Sequence, residues 1–463
     1  MGKDEVEKLP LPIIGLLKML VILTATASMA GLLVPHAWAS PDAQKPNIIF
    51  ILTDDHRWDA MSKLGHPVVE TPRLDRLSDE GVHFTNAFVT TSLCSPSRAS
   101  FLTGTYAHTH GVKNNLTPWN NQNVTFLELL KKAGYTTSFI GKWHMPGALP
   151  RLRGLDQFIT FTVQAGQGRY FDCPLIVDGK PTPSRKTYIT EELTDYALEF
   201  ITQNRDKTFC LYLSHKAAHH SFQPPPDIKG RYRDKDLHLP PEADGWISFN
   251  LDHIYCGLKG PLAWNYRKYL ETLHATDREI GRVLDRVDEL GLRDNTIVVY
   301  FGDNGFFWGE HRLMDKRWAY EESIRVPLIV RAPGLIEDPG RMAAQMALNI
   351  DLAPTLLDLA GLAIPAQMEG TSLVPILRDP WQPGRKAWLY EHFKDFPYRI
   401  PNIKAVRTER FKYIEYEGRK SPELFDLSQD PKEMSNLMDT ARGNDLHLGL
   451  KAMLEELKKG ERP

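Results

Sequence analysis

Cysteine is scarce in this chain. The four in 463 residues are Cys94, Cys173, Cys210 and Cys256, and their wide separation excludes the close pairs of a zinc site. Net charge is almost absent as well: 56 Lys and Arg against 58 Asp and Glu leave −2. That balance provides no global field for nucleic acid or anionic membranes, so any anion must be recognised locally. The apolar run at residues 19–34 spans 16 residues and is broken by Thr24, Thr26 and Ser28, which is short for a bilayer span. Internal repeats and low-complexity tracts are missing. What remains, 42% hydrophobic and 25% charged residues, suits a globular protein with a sizeable core.

Lys18 precedes the apolar run, and Ala37-Trp38-Ala39 offers small residues for cleavage before Ser40. Residues 1–39 therefore read as an export signal, placing the mature protein in the periplasm or outside the cell with no stable membrane insertion. The alternative is a retained anchor, because the preceding segment is long and carries Asp4, Glu5 and Glu7.

Residues 46–53 form a short, almost wholly apolar run, the pattern of a central strand buried on both faces. Similar runs recur at 136–140, 208–213, 296–301 and 326–331. Residues 71–77 read as a capped helix with Pro72 in its first turn, and 266–290 as a long helix with Leu270, Leu273, Ile280, Val283 and Leu284 three and four apart. Strands alternating with helices predict an α/β fold, a large mostly parallel mixed sheet sandwiched by helices. Residues 221–264 and 111–123 read as long surface excursions and candidate substrate walls. A helix opens at Asp351 and ends before Gly361. Beyond it, strand-like pieces at 404–407, 411–416 and 423–426 and a helix at 446–458 predict a small antiparallel subdomain. The expected division is residues 40–374 and 375–463.

Three predicted strands end in polar groups: Asp54-Asp55, Lys142-x-His144 and Asp303-Asn304. In an open α/β sheet, ligands bind beyond the carboxyl ends of the strands. Asp54, Asp55, Asp303 and Asn304 offer hard oxygen atoms, which suit Ca²⁺ or Mg²⁺ rather than zinc.

The most specific stretch is Leu93-Cys94-Ser95-Pro96-Ser97-Arg98-Ala99-Ser100-Phe101-Leu102-Thr103-Gly104. Its Cys94, Pro96, Ser97, Arg98, Leu102, Thr103 and Gly104 match Cys-x-Pro-Ser-Arg-x-x-x-Leu-Thr-Gly, a coincidence expected on the order of once in a million chains of this length. This resembles the maturation and active-site signature of the formylglycine-dependent sulfatases, the type I sulfatases of the alkaline phosphatase superfamily. The likeness runs from Asn47 to about Leu437, through Thr85-Asn86-Ala87-Phe88, Arg325-Val326-Pro327 and Glu423-Leu424-Phe425-Asp426. It implies an alkaline-phosphatase-like sandwich with a small C-terminal sheet.

The resemblance also implies chemistry. A maturation enzyme would oxidise Cys94 to formylglycine, whose hydrate attacks sulfur with one hydroxyl and expels sulfate by deprotonation of the other. Three cysteines would then remain, enough for at most one bridge. Asp54, Asp55, Asp303 and Asn304 would hold one calcium ion, with residue 94 completing the shell. Arg98, four residues after Cys94 on a helix, would orient the nucleophile and balance the aspartates. Lys142 and Lys316 would bind sulfate, although Arg317 stands beside the latter. His144 would take a proton from the diol, and His219 would protonate the leaving alcohol. The family's flanking prolines are replaced there by Ala218 and His220, so His220, His215 and Lys216 stay as alternatives.

Activity is thus expected to be sulfuric ester hydrolysis on a sulfated carbohydrate. Residues 349–361 and Tyr106-x-His108-x-His110 look most like members acting on sulfated sugars. Trp119, Tyr170, Trp246 and Arg57 are candidates to grip a glycan, or simply to pack. The rivals are a phosphonate or phosphodiester hydrolase on the same scaffold, which the Lys142-x-His144 pair disfavours, and a non-catalytic polysaccharide-binding protein.

Overall fold

The computed structural model describes residues 45–147, 149, 154–241, 243, 258, 260–418 and 421–460. The expected export signal, Trp246 and Cys256 lie outside the described residues.

The strand Asn47–Thr53 is buried along its whole length. Because side chains alternate across a strand, Ile48, Phe50 and Leu52 enter one core, with Phe101, Leu102, Phe126 and Leu356. Ile49 and Ile51 enter a second, with Leu74, Leu77, Ile280 and Leu284. The two cores are the two faces of a ten-stranded sheet ordered Arg341–Ala343, Val82–Phe84, Leu328–Arg331, Thr296–Gly302, Asn47–Thr53, Phe209–Ser214, Thr136–Gly141, Gln157–Thr160, Leu175–Val177, Lys180–Thr182. The five consecutive strands from Thr296–Gly302 to Gln157–Thr160 are parallel. Leu328–Arg331 and Leu175–Val177 pair antiparallel with their neighbours. This is the mixed, mostly parallel sandwich expected from the alternation of strands and helices.

Helices Cys94–Thr103, Phe126–Lys132 and Leu352–Leu359 cover the first face, and Pro72–Asp79, Ile189–Gln203 and Leu262–Glu289 the second. The last begins one turn earlier than its apolar spacing indicates, directly after Pro261. The cap of Pro72–Asp79 also differs from expectation. The Thr71 side chain makes no capping bond; Asp277 of the long helix accepts instead from the amides of Arg73 at 3.1 Å and Leu74 at 2.8 Å. A carboxylate satisfies those orphan donors and faces the positive helix end.

Residues 221–241 are more than a surface loop. Phe222, Ile228, Tyr232 and Leu237 are buried, and Phe222, Tyr232 and Leu237 pack with Tyr269, Leu270 and Trp308. The second sheet is antiparallel, in the order Ala387–His392, Ile403–Thr408, Phe411–Tyr416, Glu423–Asp426. Helix Ala441–Lys458 sets Leu450 and Leu454 against Leu389, Val406 and Leu424. The strand Ala387–His392 has no counterpart in the sequence reading, since it is buried throughout and shows no polar alternation.

Lys412 of the second sheet, fully buried, lies 2.9 Å from Glu321 and 2.6 Å from Glu433. Two carboxylates share one ammonium. Against the penalty of burial, Lys412 and Arg407 hold Glu321 below the usual range. Burial, opposed by Lys412 and reinforced by Glu321, pushes Glu433 up to about 7. A raised carboxyl contributes stability that is present below its unfolded value of 4.5 and is lost as pH rises through about 7. Glu433→Gln should therefore flatten the fall in melting temperature between about pH 5 and 8. An identical pH slope in the two proteins counts against this assignment.

Candidate active site

Parallel register explains why distant residues meet. Leu52 pairs with Ser214, Thr53 with Gly302, and Gly141 with Ser214, so four strands stop at one level. The residues just beyond, Asp54-Asp55, Lys142, His215 and Asp303-Asn304, start side by side. Gly141 has a φ of +118°, and a Cβ there would stand 1.8 Å from the Ser214 carbonyl; only glycine lets the two strand ends close while the Lys142 amide donates to that carbonyl at 2.8 Å.

Helix Cys94–Thr103 points its first residue into this edge and ends on Gly104 in the left-handed conformation. Its start is pinned by Ser95 Oγ donating to the His144 carbonyl at 2.5 Å, and by Asn115 Oδ1 accepting from the Ser95 amide at 3.0 Å. Cys94 Sγ is fully buried, 3.5 Å from Asp54 Oδ1, 3.2 Å from Lys316 Nζ and 3.8 Å from Lys142 Nζ. One turn on, Arg98 donates from Nε to Asp303 Oδ2 at 2.9 Å, from Nη2 to Asp54 Oδ2 at 3.0 Å, and from Nη1 to Ser214 Oγ at 2.6 Å and the Lys142 carbonyl at 2.9 Å. Lys142 Nζ donates to Asp54 Oδ2 and, at 2.6 Å, to Gln167 Oε1. Lys316 Nζ pairs with Asp55 Oδ1, which also accepts from Asn304 Nδ2 at 2.5 Å.

Carboxylate oxygens of Asp54, Asp55 and Asp303 and the Cys94 sulfur lie within 4.8 Å of one another. Against burial, Lys142, Arg98 and Lys316 hold Asp54 well below the usual carboxylate range. Burial, with Asp54 and Asp303 adding and Lys316 opposing, lifts Asp55 to about 7; burial and Asp54 also raise Asp303. Asp55 Oδ2 and Asn304 Oδ1 are buried without a hydrogen-bond partner among the described residues. Orphaned oxygens beside carboxylates that resist joint ionisation fit a hard divalent cation. Burial and Asp54 push the Cys94 thiol up to about 12, overriding the two lysines.

His219 Nδ1 faces the His220 carbonyl at 2.5 Å, so the proton sits on Nδ1 and Nε2 is the free acceptor. A ring nitrogen of His219 falls within 4.8 Å of both Asp54 and Cys94, whereas His220 groups with Asp55 and His219. Burial and Lys142 keep His219 and His144 well below their ordinary value, and His144 Nδ1 is buried without a partner among the described residues. Lys316 and Arg317 part company. Arg317 turns to Asp395 at 3.0 Å and Asp315, with Tyr398 3.4 Å beneath its guanidinium.

All ten residues singled out for catalysis and metal binding are buried. Hydrogen bonds, ion pairs and the 4.8 Å grouping connect Asp54, Asp55, Cys94, Arg98, Lys142, His219, Asp303, Asn304 and Lys316, and His144 joins them through Ser95. The candidates for gripping a glycan fare differently. Tyr170 is buried and donates from its hydroxyl to the His219 carbonyl at 2.7 Å. Arg57 is buried in pairs with Asp59 and Glu310, and Trp119 meets Trp143 edge-on. Cys94, Cys173 and Cys210 are free. Gln167, Ser214 and Asn115 lacked any distinguishing sequence signal, because each acts through a distant partner. Lys216 is buried at the same edge, where burial and Lys142 bring its ammonium down to about 7.

A buried residue at a helix start, ringed by cations and hard oxygen donors, defines a hydrolase of anionic esters. The sulfatase family model matches residues 46–362, and that of the N-sulphoglucosamine sulphohydrolase C-terminal region matches 309–460. The chain is 34% identical to the N-acetylglucosamine-6-O-sulfatase of Bacteroides thetaiotaomicron, covering 90% of this chain and 87% of that one. It is 30% identical to the human N-acetylglucosamine-6-sulfatase, over 86% and 82%. A protein solved in complex with its substrate D-glucosamine-2-N,6-O-disulfate superposes with a TM-score of 0.82 at 31% identity, over 90% of this chain and 98% of that one. The chain belongs to the sulfatase family, and it is an enzyme that hydrolyses sulfate esters.

Arg98→Met leaves Asp54 and Asp303 without their shared fork and should cost about 3–5 kcal/mol of stability, read from the urea midpoint. Arg98→Lys should recover only part, since an ammonium cannot fork. A wild-type midpoint in the Met variant would show that the lysines alone suffice.

Proposed function

We propose that this sulfatase removes the 6-O-sulfate from a glucosamine-type residue of a sulfated carbohydrate. The reading draws on what the two N-acetylglucosamine-6-sulfatases are named for, and on the disulfated glucosamine bound by the solved relative. The observation that carries the chemistry is the Cys94 sulfur, 3.5 Å from Asp54 and 3.2 Å from Lys316 in a buried site. We further propose that Cys94 is matured by a formylglycine-generating enzyme, that Asp54, Asp55, Asp303 and Asn304 hold one calcium ion, and that residues 40–374 and 375–463 form a catalytic domain and a smaller C-terminal subdomain. Export through residues 1–39 belongs to the same reading. Among the described residues no helix is long and apolar enough to cross a membrane.

The chain's own groups divide the work. Lys142 and Lys316, the two ammonium groups nearest position 94, receive the sulfate oxygens. Arg98 fixes Asp54 and Asp303, so the oxygen donors are set before substrate arrives. His144 accepts the nucleophile's proton, and His219, after taking up a proton from solvent at Nε2, delivers that proton to the departing sugar alcohol. Burial, with Lys142 adding, keeps His219 neutral, and the ester's negative charge offsets the lysine's part of that effect. Maturation would supply an oxygen nucleophile at position 94, and calcium would polarise the sulfate and hold that nucleophile.

Cys94→Ala and Cys94→Ser should abolish turnover while leaving the melting temperature near that of the parent; near-normal activity in either variant refutes the mechanism. For the substrate, sulfate release should be measured by ion chromatography on N-acetylglucosamine sulfated at O6, O4 or O3 and on 2-O-sulfated uronides, using protein co-expressed with a maturation enzyme. Release confined to 6-O-sulfated sugars is expected, and preference for any other position overturns the assignment.

A further inference from the structure

Four cations surround this site, and three of them have carboxylate partners. Arg98 holds Asp54 and Asp303, Lys142 holds Asp54, and Lys316 holds Asp55. Lys216 is the exception. It is only 3% exposed, yet no carboxylate among the described residues pairs with it, and its ammonium rests 4.9 Å above the Tyr170 ring. Asp54 and Asp55 act on it only from beyond ion-pair distance, and a buried lysine without a contacting carboxylate is costly to keep charged.

Its backbone is rigidly placed. The two residues that follow it are tied to Asp54, whose amide donates to the Ala217 carbonyl at 2.9 Å and whose carbonyl accepts from the Ala218 amide at 2.7 Å, and Lys216 O accepts from the His219 amide at 2.9 Å. Tyr170, beneath the ammonium, donates to the His219 carbonyl. The same loop sends Gln167 to Lys142 and lays Gly166 against His144, where a Cβ would stand 3.3 Å from the His144 Cα. Lys216 therefore belongs to the wall beside the proposed leaving-group histidine. The contacts to the Cys94 sulfur are made by Lys142 and Lys316 instead.

We propose that Lys216 is a specificity-determining residue that pairs with a second anionic group of the substrate, an N-sulfate on the same glucosamine or a carboxylate on the adjoining sugar. The proposal rests on the reading of the enzyme as a glucosamine 6-O-sulfatase. A monosulfated sugar leaves the ammonium as it is. A doubly anionic one supplies the missing charge through a charge-assisted hydrogen bond in a desolvated wall.

The test separates this inference from the reaction it builds on. Calcium-loaded Cys94→Ala protein, which needs no turnover, is titrated calorimetrically with N-acetylglucosamine-6-sulfate, with glucosamine-2-N,6-O-disulfate, and with a uronate-linked N-acetylglucosamine-6-sulfate disaccharide. Adding Lys216→Met should weaken the disulfate, the disaccharide or both by ~10-fold or more, leave the monosulfate within about threefold, and keep or raise the melting temperature. Whichever doubly anionic sugar is weakened identifies the source of the second charge. Lys216→Arg should restore most of the loss. Equal losses for all three sugars, or no loss for any, overturn the proposal. Failure of matured wild-type enzyme to release sulfate refutes the 6-O-sulfatase reading without touching this comparison.

Discussion

Three carboxylates buried within a few ångströms of one another are the constraint from which the rest of the site follows. Asp54, Asp55 and Asp303 arrive there because parallel strands in register end together, and none can move away without breaking the sheet. Desolvated like charges at this distance resist joint ionisation. The chain answers with a guanidinium fork and two ammonium groups, each from a different element: helix Cys94–Thr103, the turn after Thr136–Gly141, and the segment at Lys316. Under the proposed function these same cations would also meet the sulfate ester, so fold stability and sulfate recognition would use one set of charges.

Much of this arrangement is legible in the residue order, for identifiable reasons. The strands Asn47–Thr53 and Thr296–Gly302 are almost wholly apolar runs that stop abruptly at Asp54 and Asp303, and their shortness and abrupt polar ends favour a strand buried on both faces. The 94–104 motif fixes its own helix, because Arg98 is useful to residue 94 only one turn away. Long-range substitution of local roles is what stays hidden. Asp277 caps a helix some two hundred positions away while Thr71, the expected cap, does not. Gln167 sits in a polar loop that looks like any other until the fold delivers it to Lys142. Tyr170 looks like a sugar platform, yet it is buried under Lys216.

The second sheet bears on the site through Arg317. This residue follows Lys316 directly but has a φ of +85°, which sends its side chain away from that of its neighbour. Asp395 and Tyr398, from the loop between two strands of the second sheet, clamp its guanidinium, and Tyr390 donates to its carbonyl at 2.7 Å. The smaller sheet thereby fixes the backbone from which Lys316 reaches Asp55 and position 94. Arg317 and Lys316 are adjacent cations with different partners, one clamped by the second sheet and one directed at Asp55 and Cys94.

The chemistry of position 94 is also constrained by what surrounds it. A cysteine at a helix start beside lysines is ordinarily a good thiolate. Here burial and Asp54 outweigh those influences and push the thiol up. The neighbouring donors are hard oxygens suited to calcium or magnesium, which bind thiolate poorly. A sulfur nucleophile is therefore mismatched to its neighbours. An oxygen nucleophile at the same atom position suits them, since hard cations and positioned ammonium groups stabilise charge on oxygen. The surroundings of Cys94 fit the proposed conversion on grounds independent of the motif that first drew attention to it.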